Sequence, residues 1–158
     1  MNRRRWPTAL VAVAISLSLV ACQGTVGSTT PMEDLMTPQE SRDDLTAVFE
    51  NAQSLVGGEW QVQTDDAPRP CRLVNGTEGV QFSQFRYAGS TMSTADAVSL
   101  ITAEWETLGF ELSSREDTGA VTLTRVFATA SDGRNLQFTA GENSMTLEGV
   151  SACAIDSE

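Results

Sequence analysis

The sequence contains neither histidine nor lysine. Without histidine the chain has no imidazole base, no Ser-His-Asp or Cys-His nucleophile and no histidine ligand for a metal. All ten basic residues are arginine, and this bias favours a GC-rich bacterial source such as an actinobacterium. Most of the usual hydrolase chemistry is therefore excluded, and we expect a protein without catalytic residues, cofactor or metal site.

Long apolar runs are also scarce. The longest one extends from Ala9 to Val20 and is interrupted only by two serines. It is too short for a transmembrane helix, which needs about 20 apolar residues. Arg3–Arg5 precede it, and the four residues Leu19-Val20-Ala21-Cys22 end it. A basic start, a short apolar stretch and a small residue at the cut predict a signal peptide over residues 1–21.

The cysteine directly after the predicted cut indicates a lipoprotein. In this lipobox pattern the thiol of Cys22 receives a diacylglyceryl group before the signal peptide is removed. Two acyl chains give stable attachment, at about 0.8 kcal/mol per buried methylene group. We therefore expect a protein anchored to the extracytoplasmic face of the cell membrane. The alternative is an ordinary secretory signal that happens to precede a cysteine.

Positive charge is rare in the mature chain. Removal of the signal peptide takes three of the ten arginines and none of the 21 Asp and Glu residues, which leaves a net charge of −14. Nucleic acid is an unfavourable partner, because phosphate binding needs a basic patch. We interpret the acidity mainly as a property of a soluble surface rather than as a cation-binding function.

Only two cysteines remain once Cys22 is assigned to lipid. Cys71 and Cys153 are then the one possible intramolecular pair in an oxidising compartment, and we predict a disulfide between them. Metal binding is the alternative use of the two thiols. It is disfavoured because the chain offers no histidine and no Cys-x-x-Cys spacing.

The mature chain divides into a tether and one folded domain. Residues 22–36 are small and polar after the lipidated cysteine, which is typical of a flexible linker. Residues 37–158 are predicted to form a single domain. Its first helix begins at a capping box, Thr37-Pro38-Gln39-Glu40, and ends at Gly57-Gly58.

The sequence of the rest of the domain predicts strands before and after a second helix. Alternating side chains predict one strand at residues 60–63 and another at 80–87, separated by a loop at residues 65–70. A helix is expected from Ser93 or Thr94 to Leu108, with Gly109 as its C-cap and Phe110 folding back on the last turn. Four strands follow, at residues 110–116, 121–127, 135–140 and 144–150, with turns at Asp117-Thr118-Gly119, near Gly133 and at Gly141-Glu142-Asn143.

This order of elements predicts an α+β fold. Two helices are expected to pack on one face of an antiparallel sheet of about five to six strands, in a two-layer domain. In that fold a disulfide between Cys71 and Cys153 would connect the last strand to the loop between the first two.

The same features resemble the mycobacterial LppA-type lipoproteins. The resemblance rests on the lipobox at Cys22, the strand entry at Trp60, Cys71, the Tyr87-Ala88-Gly89 segment before the second helix, and a terminal hairpin that ends in Cys153. It covers residues 41–155. The resemblance implies a small domain of the cell envelope and no particular activity.

Neither the acidic pairs nor the aromatic residues nominate an active site. Asp43-Asp44 is interpreted as a solvated helix face, and Asp65-Asp66 and Glu116-Asp117 are placed in turns. The aromatic side chains could line a lipid or glycan pocket, but a place in the core is favoured for all of them: Trp60, Phe82, Phe85, Tyr87 and Trp105. Two functions remain. One is a non-enzymatic binding or scaffold domain with an unknown envelope protein or lipid partner. The other is a carrier of a small hydrophobic ligand between the helices and the sheet.

Overall fold

A computed structural model describes residues 36–155 of the chain, except for the side chains of residues 64–66. The predicted signal peptide, the lipidation site at Cys22 and nearly all of the predicted tether lie outside the described residues. In order along the chain, the elements are a helix, two strands, a second helix and four further strands. The predicted fold class is confirmed, because two helices pack on one antiparallel sheet.

Helix α1 (Pro38–Val56) begins where the capping box predicts it. The backbone N–H and the hydroxyl of Thr37 both donate to Glu40 Oε2 at 2.8 Å, and Glu40 N–H donates back to Thr37 Oγ1. These bonds satisfy donors that the first turn of a helix leaves unpaired. The helix ends at Val56, and its C-cap Gly57 has a φ of 66°.

Strands β1 (Gln61–Arg72) and β2 (Glu78–Gly89) form an antiparallel hairpin. The prediction of a loop at residues 65–70 is wrong, since β1 continues through this segment with a register shift between Asp65 and Arg69. Strand β1 lies at the edge of the sheet. Proline is tolerated there because the missing N–H would otherwise face solvent, so Pro68 and Pro70 do not end the strand.

Helix α2 (Thr94–Thr107) has the predicted cap at Ser93, whose side chain accepts a hydrogen bond from Asp96 N–H. Its C-terminus is a Schellman motif, in which Phe110 N–H donates to Trp105 O and Gly109 N–H donates to Glu106 O, each at 3.0 Å. Gly109 takes the left-handed conformation with a φ of 82°. Phe110 folds back beside Trp105, as predicted, with 6.4 Å between ring centroids.

The last four strands form a meander: β3 (Glu111–Thr118), β4 (Thr122–Thr129), β5 (Asn135–Gly141) and β6 (Ser144–Val150). The order across the six-stranded sheet is β1-β2-β6-β5-β4-β3. Helix α2 thus carries the chain from β2 to the opposite edge, and the meander returns until β6 lies beside β2. The prediction of a turn at Asp117 is wrong, because Asp117 pairs with Leu123 inside the β3–β4 ladder.

The core lies between the helices and one face of the sheet. Trp105, Phe49 and Phe138 are fully buried there, so the large side chains fill the space between the two layers. Around them pack smaller apolar residues from both helices and from β4, β5 and β6: Leu45, Val56, Ile101, Val126, Ala140, Met145 and Leu147. Dense packing of this kind leaves little room inside the core itself.

The predicted disulfide between Cys71 and Cys153 is present, with their Cα atoms 5.9 Å apart. It fastens the segment after β6 to β1, while Val80 and Ala154 exchange two backbone hydrogen bonds of 2.8 Å. Gly79 lies under this crossing, where an added Cβ would be 2.4 Å from Ala154 O and 3.0 Å from Cys153 Sγ. Glycine is therefore required at this position by close approach rather than by backbone conformation.

Candidate functional site: the uncovered face of the sheet

The two faces of the sheet have different surroundings. Along β2, the alternate residues Phe82, Gln84, Arg86 and Ala88 are buried, and the three larger side chains contact α1. Successive side chains of a strand point to opposite sides. The intervening residues of β2 therefore lie on the face that neither helix covers.

Strand register arranges this face into two rows, which together we call the open face. The first row crosses all six strands in the order Gln63, Phe85, Glu148, Gln137, Phe127 and Ser113. The second row runs beside it in the order Gln61, Tyr87, Thr146, Thr139, Arg125 and Arg115. Aromatic, amide, hydroxyl and charged side chains are thus placed in fixed positions by backbone pairing alone.

A groove of about 660 Å³ lies along the first row. Phe85 and Phe127 line it from β2 and β4, and Gln137 and Glu148 lie between them on β5 and β6. The volume falls within the range of about 300–1,000 Å³ typical of small-ligand sites. Arg69 of the edge strand β1 also lines the groove, which thus combines two separated aromatic rings with a polar centre.

The polar centre of the groove is held by hydrogen bonds within the sheet. Gln137 Nε2 donates to a carboxylate oxygen of Glu148 and, at 3.2 Å, to Thr139 Oγ1. An ionised carboxylate has about four acceptor positions. Glu148 is thus held in place by its neighbour and retains capacity to accept further hydrogen bonds.

One aromatic subsite is formed on β2. The rings of Phe85 and Tyr87 are 6.3 Å apart, within the usual range for interacting aromatic pairs. The hydroxyl of Tyr87 donates to Gln61 Oε1 on the edge strand β1. Both rings are only half-buried. The prediction that they belong to the core is therefore wrong, whereas Phe82 and Trp105 are buried in it and Trp60 packs against it.

At the other end of the open face, Asp117 connects two arginines that the register places side by side. It lies 2.9 Å from Arg115 Nε and 3.3 Å from Arg125 Nε. Like charges directly opposite one another on neighbouring strands are destabilising, and the carboxylate offsets this. Arg115 also lies over the ring of Phe127, with Cζ 5.9 Å from the centroid. Sequence reasoning missed this cluster because it placed Asp117 in a turn.

A buried arginine lies directly behind the open face. Arg86 is 4% exposed, donates to Gln53 Oε1 at 2.8 Å and to Gln84 Oε1 at 2.9 Å, and packs over the ring of Phe49. Burial lowers the pKa of Arg86 from its ordinary value, and the nearby carboxylate of Glu50 partly offsets the effect. These contacts connect α1 to β2, so we assign Arg86 a structural function.

A second groove, of about 810 Å³, lies on the helical side between α2 and the end of the β3–β4 hairpin. Val98 and Val121 contribute apolar surface to it, and Val121 is 65% exposed. The carboxylates of Glu116 and Glu142 also line it. This α2 groove is the candidate site for the alternative function, that of a carrier.

Two observations bear on other classes of site. Neither helix within residues 36–155 is long and apolar enough to cross a membrane. In the same part of the chain, no three carboxylate or thiol side chains lie close enough together to hold a metal ion.

Of the predicted acidic pairs, Asp44 forms an ion pair with Arg134 at 2.6 Å, while Asp43 is exposed and accepts a hydrogen bond from Gln39.

Comparison with known proteins identifies a similar fold. No family model and no curated protein matches the chain. Among solved structures it is similar to a DUF4853 family protein from Actinomyces odontolyticus, with a TM-score of 0.53 and 19% identity. The match covers 81% of this chain and 74% of the other. At this level of identity the likeness shows the fold alone, and the resemblance to LppA-type lipoproteins stays a prediction.

Proposed function

We propose that the protein is an exported lipoprotein, anchored through Cys22 to the extracytoplasmic face of the cell membrane, whose domain binds an envelope partner without catalysis. The sequence order of Arg3–Arg5, the apolar run and Cys22 supports the anchor. The absence of lysine supports a GC-rich source, and the structural neighbour comes from an actinobacterium.

The strongest support for a binding function comes from the open face and its incompletely buried aromatic rings. A protein that needed only to be stable would gain from covering Phe85, Tyr87 and Phe127, because each buried aromatic side chain contributes substantially to stability. Instead Phe85 and Phe127 line a groove of ligand size on the side that the helices leave bare, and Tyr87 lies next to Phe85. We therefore assign partner binding to the open face.

Replacement of Cys22 tests the anchor. The variant Cys22→Ala should incorporate no labelled palmitate, because it lacks the thiol that receives the diacylglyceryl group. A Thr25→Ala variant, which keeps the lipobox, is the matched control and should behave as wild type. Equal labelling of the wild type and Cys22→Ala would contradict the proposed anchor.

Replacement of the aromatic rings tests the binding face. The mature chain with Cys22→Ser, which lacks lipid, should sediment with isolated cell envelopes through its domain. We expect the double variant Phe85→Ala/Phe127→Ala to lose most of this retention. Val121→Ser, on the helical side, should retain it. If only the Val121→Ser variant is released, the α2 groove is the site.

The carrier hypothesis depends on the α2 groove rather than on the core. The space between the layers is filled by Trp105, Phe49 and Phe138. In the α2 groove, a bound acyl chain would lie against Glu116 and Glu142, and removing carboxylates from water is costly. Binding at the open face is therefore the better-supported function. Solvent extraction of the purified protein, followed by lipid mass analysis, tests the alternative.

A further inference from the structure

We infer that the open face binds an uncharged saccharide, with one sugar ring on each aromatic subsite and the connecting hydroxyl groups on Glu148 and Gln137. This inference rests on the proposed binding function and names its ligand class. It follows from the spacing of the rings, the chemistry of the groove centre and the charge of the face.

The spacing of the rings favours an elongated ligand. Phe85 and Phe127 stand in the same row, three strand steps apart. At about 4.8 Å per step they are separated by roughly 14 Å. A single small molecule with one apolar patch would not reach both rings. A short chain of sugar rings, each with one apolar C–H face, contacts both.

The centre of the groove distinguishes a saccharide from a protein partner. Protein interfaces place their aromatic anchors together in a desolvated centre and their polar groups at the rim. The open face has the reverse order, with Glu148 and Gln137 between the separated rings Phe85 and Phe127. A carboxylate and an amide side by side accept and donate hydrogen bonds to vicinal hydroxyl groups. Alternating apolar faces and hydroxyl groups are the surface chemistry of a sugar chain.

The charge of the face favours an uncharged ligand. Residues 36–155 carry 17 carboxylate side chains and seven arginines, whereas the two rows and the lining of the groove together contain one carboxylate, Glu148, and three arginines, Arg69, Arg115 and Arg125. Arg115 and Arg125 are both paired with Asp117. The strongly acidic surroundings repel an anionic polymer. The remaining polar groups of the rows are amides and hydroxyls, which recognise neutral hydroxyl groups.

A titration with defined saccharides tests the inference. The probes are the uncharged trimers maltotriose, mannotriose and fully N-acetylated chitotriose, with trigalacturonic acid as the anionic counterpart. The mature chain with Cys22→Ser is labelled with ¹⁵N and followed by NMR. We expect at least one uncharged trimer to shift amides of β2, β4, β5 and β6 along the two rows, and the anionic trimer to leave them unchanged.

Three variants identify the contacts. Phe127→Ala and the near-isosteric Glu148→Gln should each weaken the binding trimer by about tenfold, which corresponds to about 1.4 kcal/mol. Val121→Ser is the matched control and should bind like the wild type. Glu148→Gln changes the shape of the side chain little, so the variant should fold. Its affinity for the trimer can therefore be measured even if Phe127→Ala fails to fold.

The outcomes separate this inference from the proposed function. If no uncharged trimer shifts the open face, or if the shifts map to the α2 groove, the saccharide inference is overturned. If the aromatic variants still lose envelope retention in that case, the open face binds a protein and the proposed function stands. If neither assay responds to Phe127→Ala while the variant remains folded, both fail.

Discussion

Removal of the disulfide should destabilise the domain by an amount that depends on how far apart the two cysteines lie in the sequence. Cys71 and Cys153 are 82 residues apart in sequence. In the chain-entropy relation, closing a loop of this length lowers the entropy of the unfolded chain by the equivalent of about 4.5 kcal/mol at 25 °C. Removal of a native disulfide from a small secreted domain typically costs about 2–5 kcal/mol. We expect the double variant Cys71→Ser/Cys153→Ser to lose stability towards the upper end of this range.

The folded state of this variant should change little. Two backbone bonds between Val80 and Ala154 still hold the C-terminal segment on β2. Ser41 Oγ, within 2.7 Å of Ser151 Oγ and 2.6 Å of Ala152 O, also keeps this segment on α1. The loss therefore acts mainly through the unfolded chain, and the circular dichroism spectrum of the folded variant should match that of the wild type.

Urea denaturation measures the effect. For a slope of about 2 kcal/mol per molar urea, 4.5 kcal/mol corresponds to a midpoint lower by about 2 M. Wild-type protein treated with a reductant should shift by the same amount, and this serves as the control for the serine substitutions. If the oxidised, reduced and double-variant proteins all unfold at the same urea concentration, the reasoning is refuted.

Three further predictions follow from single contacts. Gly79→Ala should destabilise the domain by at least about 2 kcal/mol in urea, because the new Cβ meets backbone at Ala154 O, and a loss below 0.5 kcal/mol would contradict the close approach. Trp105→Ala should lower stability by about 3–5 kcal/mol in the same assay, since its side chain is fully buried, and a near-neutral result would mean that the core is not packed as described. Hydrogen bonds from Thr37 hold the pKa of Glu40 below its ordinary value of 4.5, so the ionised carboxylate stabilises the fold at neutral pH and this contribution is lost as the pH falls through the lowered pKa. The stability difference between the wild type and Glu40→Gln, measured by urea denaturation from pH 7 to pH 3, should therefore shrink below about pH 4.5, and a constant difference would argue against the capping box.

Local signals in the sequence predicted the helices well. The start of α1 depends on contacts between Thr37 and Glu40, and the end of α2 depends on Gly109 and Phe110, all within one or two turns of the chain. Such contacts are encoded by neighbouring residues, so the pattern alone predicts them. The disulfide was predictable for a different reason, because assigning Cys22 to lipid left only one pair.

The errors concern properties that depend on tertiary position. The prolines of β1 signal a break in a central strand but are tolerated at a sheet edge, and the sequence does not reveal which strand is the edge. Likewise, alternation along β2 places Phe82 and Phe85 on opposite faces without indicating which face the helices cover. The sequence alone therefore assigns Phe85 and Tyr87 to the core and separates Asp117 from the arginines with which it pairs.

The most direct test of the binding face is photo-crosslinking in living cells. A photoreactive phenylalanine analogue at Phe127 keeps an aromatic ring at the groove, and the same analogue at Ala47, exposed on α1, is the control. A partner bound to the open face should give an adduct from position 127 and little from position 47. Adducts from position 47 alone, or equal yields from both positions, would contradict the assignment of the open face as the binding surface.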